Sequence, residues 1–217
     1  MSDLLHFQIY LQNQAASVRL KIVQTGEPVL REATRPLSSE EITTSEIQRL
    51  IEAMKDTMRD APGVGLAAPQ VGYGLQLAVI EDRPEYTKDA PREQLAERER
   101  KPVPFHVIIN PKLILMGDPE IEFFEGCLSL PGFMAIVPRV RKVRVEYLDE
   151  HAQPRVIEAS GWHARILQHE IDHLHGRLYV DRMLPRSLTT IENYNRYWKE
   201  KSVADVKSIL AADEESN

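Results

Sequence analysis

The chain has 217 residues, 42% of them hydrophobic and 28% charged, which excludes collagen-like, mucin-like and largely disordered classes and predicts one domain with room for an extension. Lys and Arg number 27 against 33 Asp and Glu, a formal net charge of -6; that is the wrong sign for a protein that grips phosphate backbones, so no direct DNA binding is expected. The single cysteine excludes an internal disulfide and leaves the thiol either as core filling or as chemistry.

Residues 1–20 read as an N-terminal arm. The stretch MSDLLHFQIYLQNQ lacks a basic n-region and an unbroken apolar core and is not Arg-rich, so neither a secretory signal nor a transit peptide is expected. No run of about 18 apolar residues predicts a membrane span, and the cytoplasm is the expected compartment. Ile47, Leu50, Ile51, Met54 and Met58 recur at helical spacing, with Thr43 and Glu46 placed as a capping box and Ala61-Pro62-Gly63 as the stop. A glycine-rich stretch, Gly63 to Gly74, leads to a strand over Leu75–Ile80. Residues 81–104 carry dense charge and four prolines and read as a solvated insertion, with a short helix over Arg92–Arg100 supported by pairs such as Glu93 and Glu97 with basic neighbours.

Strands follow over Phe105–Ile109, Leu113–Met116, Ile121–Phe124, Met134–Val137, Val143–Tyr147 and Arg155–Ala159. Turns are expected at Asn110-Pro111, Gly117-Asp118-Pro119 and Asp149-Glu150-His151. Consecutive strands without intervening helices predict an α+β fold with antiparallel sheets. A helix then runs from an N-cap at Ser160 to a C′ glycine at Gly176. A further helical stretch is expected over Ser187–Leu210, before an acidic tail. The division is an arm (1–20), a catalytic domain (21–186) and a C-terminal helical extension (187–217).

The Ser160–Gly176 helix contains His169-Glu170-Ile171-Asp172-His173. Histidines at i and i+4 stack on one helix face and can share one metal ion, and the adjacent Glu170 can accept a proton from a water acidified by that ion. Apolar neighbours, Trp162, Ile166, Leu167, Ile171 and Leu174, imply that the histidines are buried and need partners. A catalytic centre of this kind requires a third protein ligand. The metzincin continuation fails, because Tyr179 stands where its third histidine belongs. Glu192 lies near the gluzincin position. Cys127, in Glu125-Gly126-Cys127-Leu128-Ser129, offers a thiolate suited to a soft or borderline metal, although taken alone a cysteine in a strand-rich region is more often an inert core residue. The glycine stretch follows a helix, lacks a third glycine in register and has no Walker lysine, so it is not a nucleotide loop. Its small residues Gly65, Ala67 and Ala68 let a substrate backbone come close, and Gln70 is either an oxyanion donor or a turn-capping amide.

Three segments in this order, Gly63-Val64-Gly65-Leu66-Ala67-Ala68-Pro69-Gln70, Glu125-Gly126-Cys127-Leu128-Ser129 and Gln168-His169-Glu170-Ile171-Asp172-His173, match in full the signature motifs of the peptide deformylases, and the chain resembles that family from about Leu20 to Pro185. Ser160-Gly161-Trp162 and Gly132-Phe133 are closer to its organellar-type branch, while the absence of a recognisable transit peptide favours a bacterial-type cytoplasmic enzyme. The resemblance implies hydrolysis of N-formylmethionyl peptides to formate and a free N-terminus. It makes Cys127, His169 and His173 the metal ligands and Glu170 the acid/base. The Gln70 amide and the Leu128 backbone N–H become the oxyanion donors. Val64, Trp162 and Ile166 become the lining of the methionine pocket, and Gly65 backbone pairing to an extended substrate follows. A narrow pocket would admit a formyl group and exclude acetyl groups and internal peptide bonds. One divalent ion is implied, ferrous iron first, with zinc, nickel or cobalt accepted. Glu125 and Asp172, braced by Arg139, are expected to hold the histidine ligands, and His163 and His175 to be structural. The alternative is a zincin-type metallopeptidase with Glu192 as third ligand. Arg196, Lys199, Lys201 and Lys207 suggest a transient ribosome contact, diluted by Glu200, Asp205 and the acidic tail.

Overall fold

The structure is a computed structural model that describes residues 18–117 and 120–211. Most of the expected arm, the Asp118-Pro119 part of one expected turn and the acidic tail lie outside the described residues.

The apolar run Leu77-Ala78-Val79-Ile80 has no polar face, and its surroundings explain why. Strand β2 (Leu77–Asp82) lies between two helices. Leu77 and Val79 point to α1 (Ser45–Asp60), where Leu50, Met54 and Met58 pack on them. Ala78 and Ile80 point the other way, to Leu167 and Ile171 of the helix that carries the histidines. Period-two alternation thus feeds two cores from one strand. That strand belongs to an antiparallel five-stranded sheet, in spatial order β1 (Gly65–Ala67), β2, β3 (Val103–Leu115), β6 (Lys142–Leu148) and β7 (Pro154–Ser160). A second sheet pairs β4 (Glu120–Cys127) with β5 (Leu130–Val140) and a two-residue β8 (Thr189–Thr190). The histidine helix, here α3 (Gly161–Leu174), contacts both sheets. The α+β class and the central helix are as the sequence predicts.

Several boundaries differ from expectation, each for a local reason. The capping box lies a turn earlier. Ser38 accepts from Glu41 N–H (3.2 Å) and the Glu41 carboxylate accepts from Ser38 N–H (2.8 Å), starting a single helical turn, Ser39–Ile42. The cap of α1 is Thr44, which accepts from Ile47 N–H, rather than Thr43. The expected turn at Asn110-Pro111 is an irregularity inside one long strand, β3. Asn110 takes φ +51° there, and its amide pairs with the Leu37 N–H and C=O at 2.9 and 2.8 Å, the kind of local satisfaction that lets Asn adopt a left-handed backbone. Ser160 occupies the N-cap position of α3, but its hydroxyl donates to Glu99 (2.9 Å) and does not cap.

Two larger corrections concern the periphery. The 81–104 stretch does not simply float in solvent. Its helix α2 (Arg92–Glu97) leads into a turn clamped on the start of α3. Glu99 takes hydrogen bonds from Ser160 and Arg141, and Arg100 forms a bidentate pair with buried Asp82 at 2.8 and 2.9 Å. Gly161, at φ +58°, permits this approach, since a Cβ there would lie 2.8 Å from the Arg98 carbonyl oxygen and closer still to Glu99 Cβ. Nor is 187–210 one helix. After β8 come a turn Ile191–Asn193, a π-helical segment Tyr194–Trp198 and a separate helix α4 (Val203–Ala211). Ser202 accepts from Asp205 N–H (3.1 Å), restarting the helix. This extension covers the outer face of the β4–β5 hairpin, where Val206, Tyr194 and Trp198 pack around Phe124 and Ile136.

Candidate metal centre and active-site cleft

Glu125 and Cys127 stand at the end of β4, where its pairing with β5 shifts register, and both side chains reach α3. The Cys127 sulfur lies 3.3 Å from His173 Nε2, and the Glu125 carboxylate lies 3.0 Å from His169 Nδ1. Ligand atoms of Cys127, His169 and His173 all fall within 4.8 Å of one another. The set fits a metal ion in its donor chemistry and, at His169, in its polar accounting. With the His169 Nδ1–H donated to Glu125, Nε2 is left to face the sulfur. Burial alone would push the Cys127 thiol up, but the His173 and His169 imidazoles override it and hold the thiol well below its ordinary range. A thiolate between two imidazoles suits a divalent transition metal. Glu192 is exposed and takes no part in this group, so the zincin alternative is not favoured.

Glu125 is 5% exposed and is held from three sides. Arg139 forms a bidentate pair with it at 3.0 Å, Arg165 donates at 2.6 Å and His169 supplies the third contact. Burial opposes its charge, yet the Arg139 guanidinium and His169 keep its carboxyl far below the usual range. Arg139 also pairs with Asp172, which Arg182 grips at 2.7 and 2.8 Å. The expected bracing of Glu125 and Asp172 by Arg139 is thus present as a chain of ion pairs, buried except at Arg182, but Glu125 alone of the two touches a histidine ligand: Asp172 bonds the two arginines, and His173 Nδ1 is buried without a partner among the described residues. Arg165 and Arg182 are members that sequence reading missed. Arg165 was findable: it stands four residues before His169, on the same face of α3. His175 bonds its own helix at Ile171 C=O (2.8 Å). His163 faces His106 with ring centroids 5.4 Å apart, and burial pushes it down to about 4; neither joins the metal-binding group.

Glu170 is 3% exposed and its Oε2 has no hydrogen-bond partner. Burial raises its carboxyl above the usual carboxylate range, against the pull of His169 and His173. The carboxylate packs on Gly65, where a Cβ would come within 2.1 Å of Glu170 Oε1. The space at Gly65 is therefore filled by Glu170, and the expected role, close approach of a substrate backbone, is not what requires a glycine there. Gln70 is buried, and its orientation follows from its partners. Oε1 accepts from Ala67 N–H (2.9 Å), so Nε2 points to the Cys127 sulfur (3.4 Å) and the Ser129 hydroxyl (3.3 Å).

These groups open into one cavity of about 480 Å³. Val64, Gly65, Trp162, Ile166 and Leu128 line it together with Gln70, Cys127, His169 and Glu170, so the structure brings the sequence-predicted site residues together. It adds residues that the sequence did not assign to the site: Arg98 and Arg100 from the insertion, Phe133 and Met134 from β5, and Ile191 from the C-terminal extension.

Comparison with known proteins is consistent with this arrangement. Residues 19–188 match the polypeptide deformylase family. The chain is 51% identical over 172 residues to the tomato (Solanum lycopersicum) chloroplastic peptide deformylase 1A, covering 79% of this chain but only 62% of the relative's length. It is 47% identical over 181 residues to peptide deformylase 3 of Streptomyces avermitilis, covering 83% of this chain and 79% of that one. The solved structure of a class I type b peptide deformylase from Acinetobacter baumannii with Met-Ala-Ser bound superposes with a TM-score of 0.69 at 31% identity, over 77% of this chain and all of the other. Among the described residues no helix is long and apolar enough to cross a membrane. Matched over most of its length in sequence and in fold, the chain belongs to the polypeptide deformylase family.

Proposed function

We propose that this protein hydrolyses the formyl group from N-formylmethionyl peptides in the cytoplasm, using one divalent metal ion, ferrous iron, for which zinc, nickel or cobalt can substitute. The observation that carries the reading is the convergence of Cys127, His169 and the fully buried His173 beside a cavity that Cys127 and His169 line and into which Glu170 brings a carboxylate oxygen with no protein partner. Cys127 Sγ and the Nε2 atoms of His169 and His173 would hold the ion. When bound, it supplies Lewis acidity and lowers the pKa of water to near neutrality.

The chain's own groups do the rest. The substrate extends along the edge of β1, whose one ladder neighbour among the described residues is β2, with Gly65 supplying backbone pairing. The methionine side chain packs among Val64, Trp162 and Ile166. Glu170 takes a proton from the attacking water as oxygen adds to the formyl carbon, and delivers it to the amide nitrogen as the carbon–nitrogen bond breaks. The Gln70 Nε2–H and the Leu128 backbone N–H donate to the oxygen that becomes negative in between. Each such donor is worth about 3–4 kcal/mol in the transition state. Formate and a free methionyl N-terminus leave.

The test is formate release from formyl-Met-Ala-Ser by anaerobically metal-loaded protein. Glu170→Gln is expected to lower kcat by about 10²–10⁴ while metal content stays unchanged; a variant that keeps full activity overturns the role of Glu170. A transient ribosome contact through Arg196, Lys199 and Lys201 belongs to the same proposal. Lys207 is engaged by Glu122 at 2.7 Å and is withdrawn from that set.

A further inference from the structure

Three guanidinium groups line the catalytic cavity, and they differ in one respect. Arg100 is neutralised by Asp82 and Arg165 by Glu125. Arg98 has no carboxylate within ion-pairing distance among the described residues; its guanidinium lies over the rings of Phe123 (5.0 Å) and Trp162 (5.7 Å). Glu97 and Glu200 line a depression that Arg98 also borders, but neither pairs with it. The Arg165 guanidinium sits 5.2 Å from the same Phe123 ring, so two like charges flank one aromatic side chain with a counter-charge for only one of them.

Arg98 is also not a loose surface side chain. It is half-buried, its backbone N–H closes the end of α2 on Gln94 and Ala96, and the next residue, Glu99, is tied to Ser160 and Arg141. Its carbonyl packs against Gly161 at the start of α3. The side chain is therefore held over Trp162, one of the residues assigned above to the methionine pocket. An unpaired, pre-positioned guanidinium between aromatic faces is suited to a planar carboxylate, which it can meet with two parallel hydrogen bonds.

We infer that Arg98 is a specificity-determining residue that selects formyl-methionyl peptides carrying Asp or Glu in the second or third position. This deepens the deformylase reading and rests on it. The partner is the acidic side chain of the substrate, which leaves the anchored formyl-methionyl end and crosses the cleft toward the insertion.

The experiment compares kcat/KM for formyl-Met-Ala-Ser, formyl-Met-Asp-Ser, formyl-Met-Ala-Glu and the matching lysine peptides, at low and high ionic strength, in wild type, Arg98→Gln and Arg98→Lys. The better of the two acidic peptides is expected to exceed its lysine counterpart by about fivefold in wild type at low salt, the upper end for a partly exposed ion pair, with the ratio falling as salt rises. Arg98→Gln brings the ratio to about one and Arg98→Lys keeps part of it. Ratios are read within each variant, so a loss of folded protein divides out. Equal rates for both peptide classes in wild type, or a preference that survives Arg98→Gln, overturns the inference while turnover of the neutral peptide leaves the deformylase reading intact. No formate from any peptide sinks that reading and this inference with it.

Discussion

The inner wall of the cleft, formed by β4, β5 and α3, carries its charge as a continuous chain of ion pairs. Arg182, Asp172, Arg139, Glu125 and His169 each meet the next, and Arg165 joins at Glu125. The outer wall, formed by the insertion, the start of β5 and the C-terminal extension, carries paired and unpaired charge side by side and leaves Phe133 and Ile191 more than 40% exposed. On the inner wall a carboxylate fixes a histidine tautomer, two arginines fix that carboxylate, and little can move without stranding a buried charge. On the outer wall the backbone is docked, but Phe133, Ile191 and the Arg98 guanidinium face whatever enters. The difference separates two tasks: the over-determined wall sets the chemistry, and the lightly tied wall is where selectivity among peptides can vary without disturbing it.

Substitutions that strike each wall sharpen the contrast. Arg139→Met removes the link between Glu125 and Asp172 and leaves two buried carboxylates short of a partner; it is expected to cost about 3–5 kcal/mol in chemical denaturation. The outer pair Lys207–Glu122, whose lysine is 45% exposed, is the matched control, and Lys207→Ala is expected to cost less than about 1 kcal/mol. Equal losses at the two positions would break the distinction. A smaller and more selective effect is expected at Gly65. A methyl group there must displace the Glu170 carboxylate, so Gly65→Ala should lower kcat by about a hundredfold, within the range of a misplaced general base, while metal content and thermal midpoint move little. Loss of metal in that variant would show that Gly65 supports the ligands rather than the base.

Much of this was legible before any coordinates. The stacked histidines, the cysteine motif and the glutamine loop are local patterns with a chemical reason for their spacing, and they assemble. The helix α1 follows from apolar periodicity and a strand near β2 from its apolar run, while the packing of that strand on both faces shows only in the fold. What escaped depends on tertiary partners. Asn110 looked like a turn because nothing in the sequence shows that Leu37 satisfies its amide. The charged insertion looked solvated because its docking on Gly161 involves residues some 60 positions apart, as in the Ser160–Glu99 contact. The break in the C-terminal helix did have a signal, Ser202 followed three residues later by Asp205, but continuous apolar spacing around it masked the restart. Arg98 had none, since an unpaired charge is a property of its neighbours.

The most direct test of the central claim is X-ray absorption at the metal edge of anaerobically purified, metal-replete protein, beside the Cys127→Ala variant. The account predicts one sulfur scatterer, at about 2.3 Å if the ion is zinc, with imidazole nitrogens completing the protein ligands, and loss of both sulfur scattering and tight metal retention in the variant. An active, metal-loaded protein whose ion shows only nitrogen and oxygen neighbours, unchanged by Cys127→Ala, would contradict it.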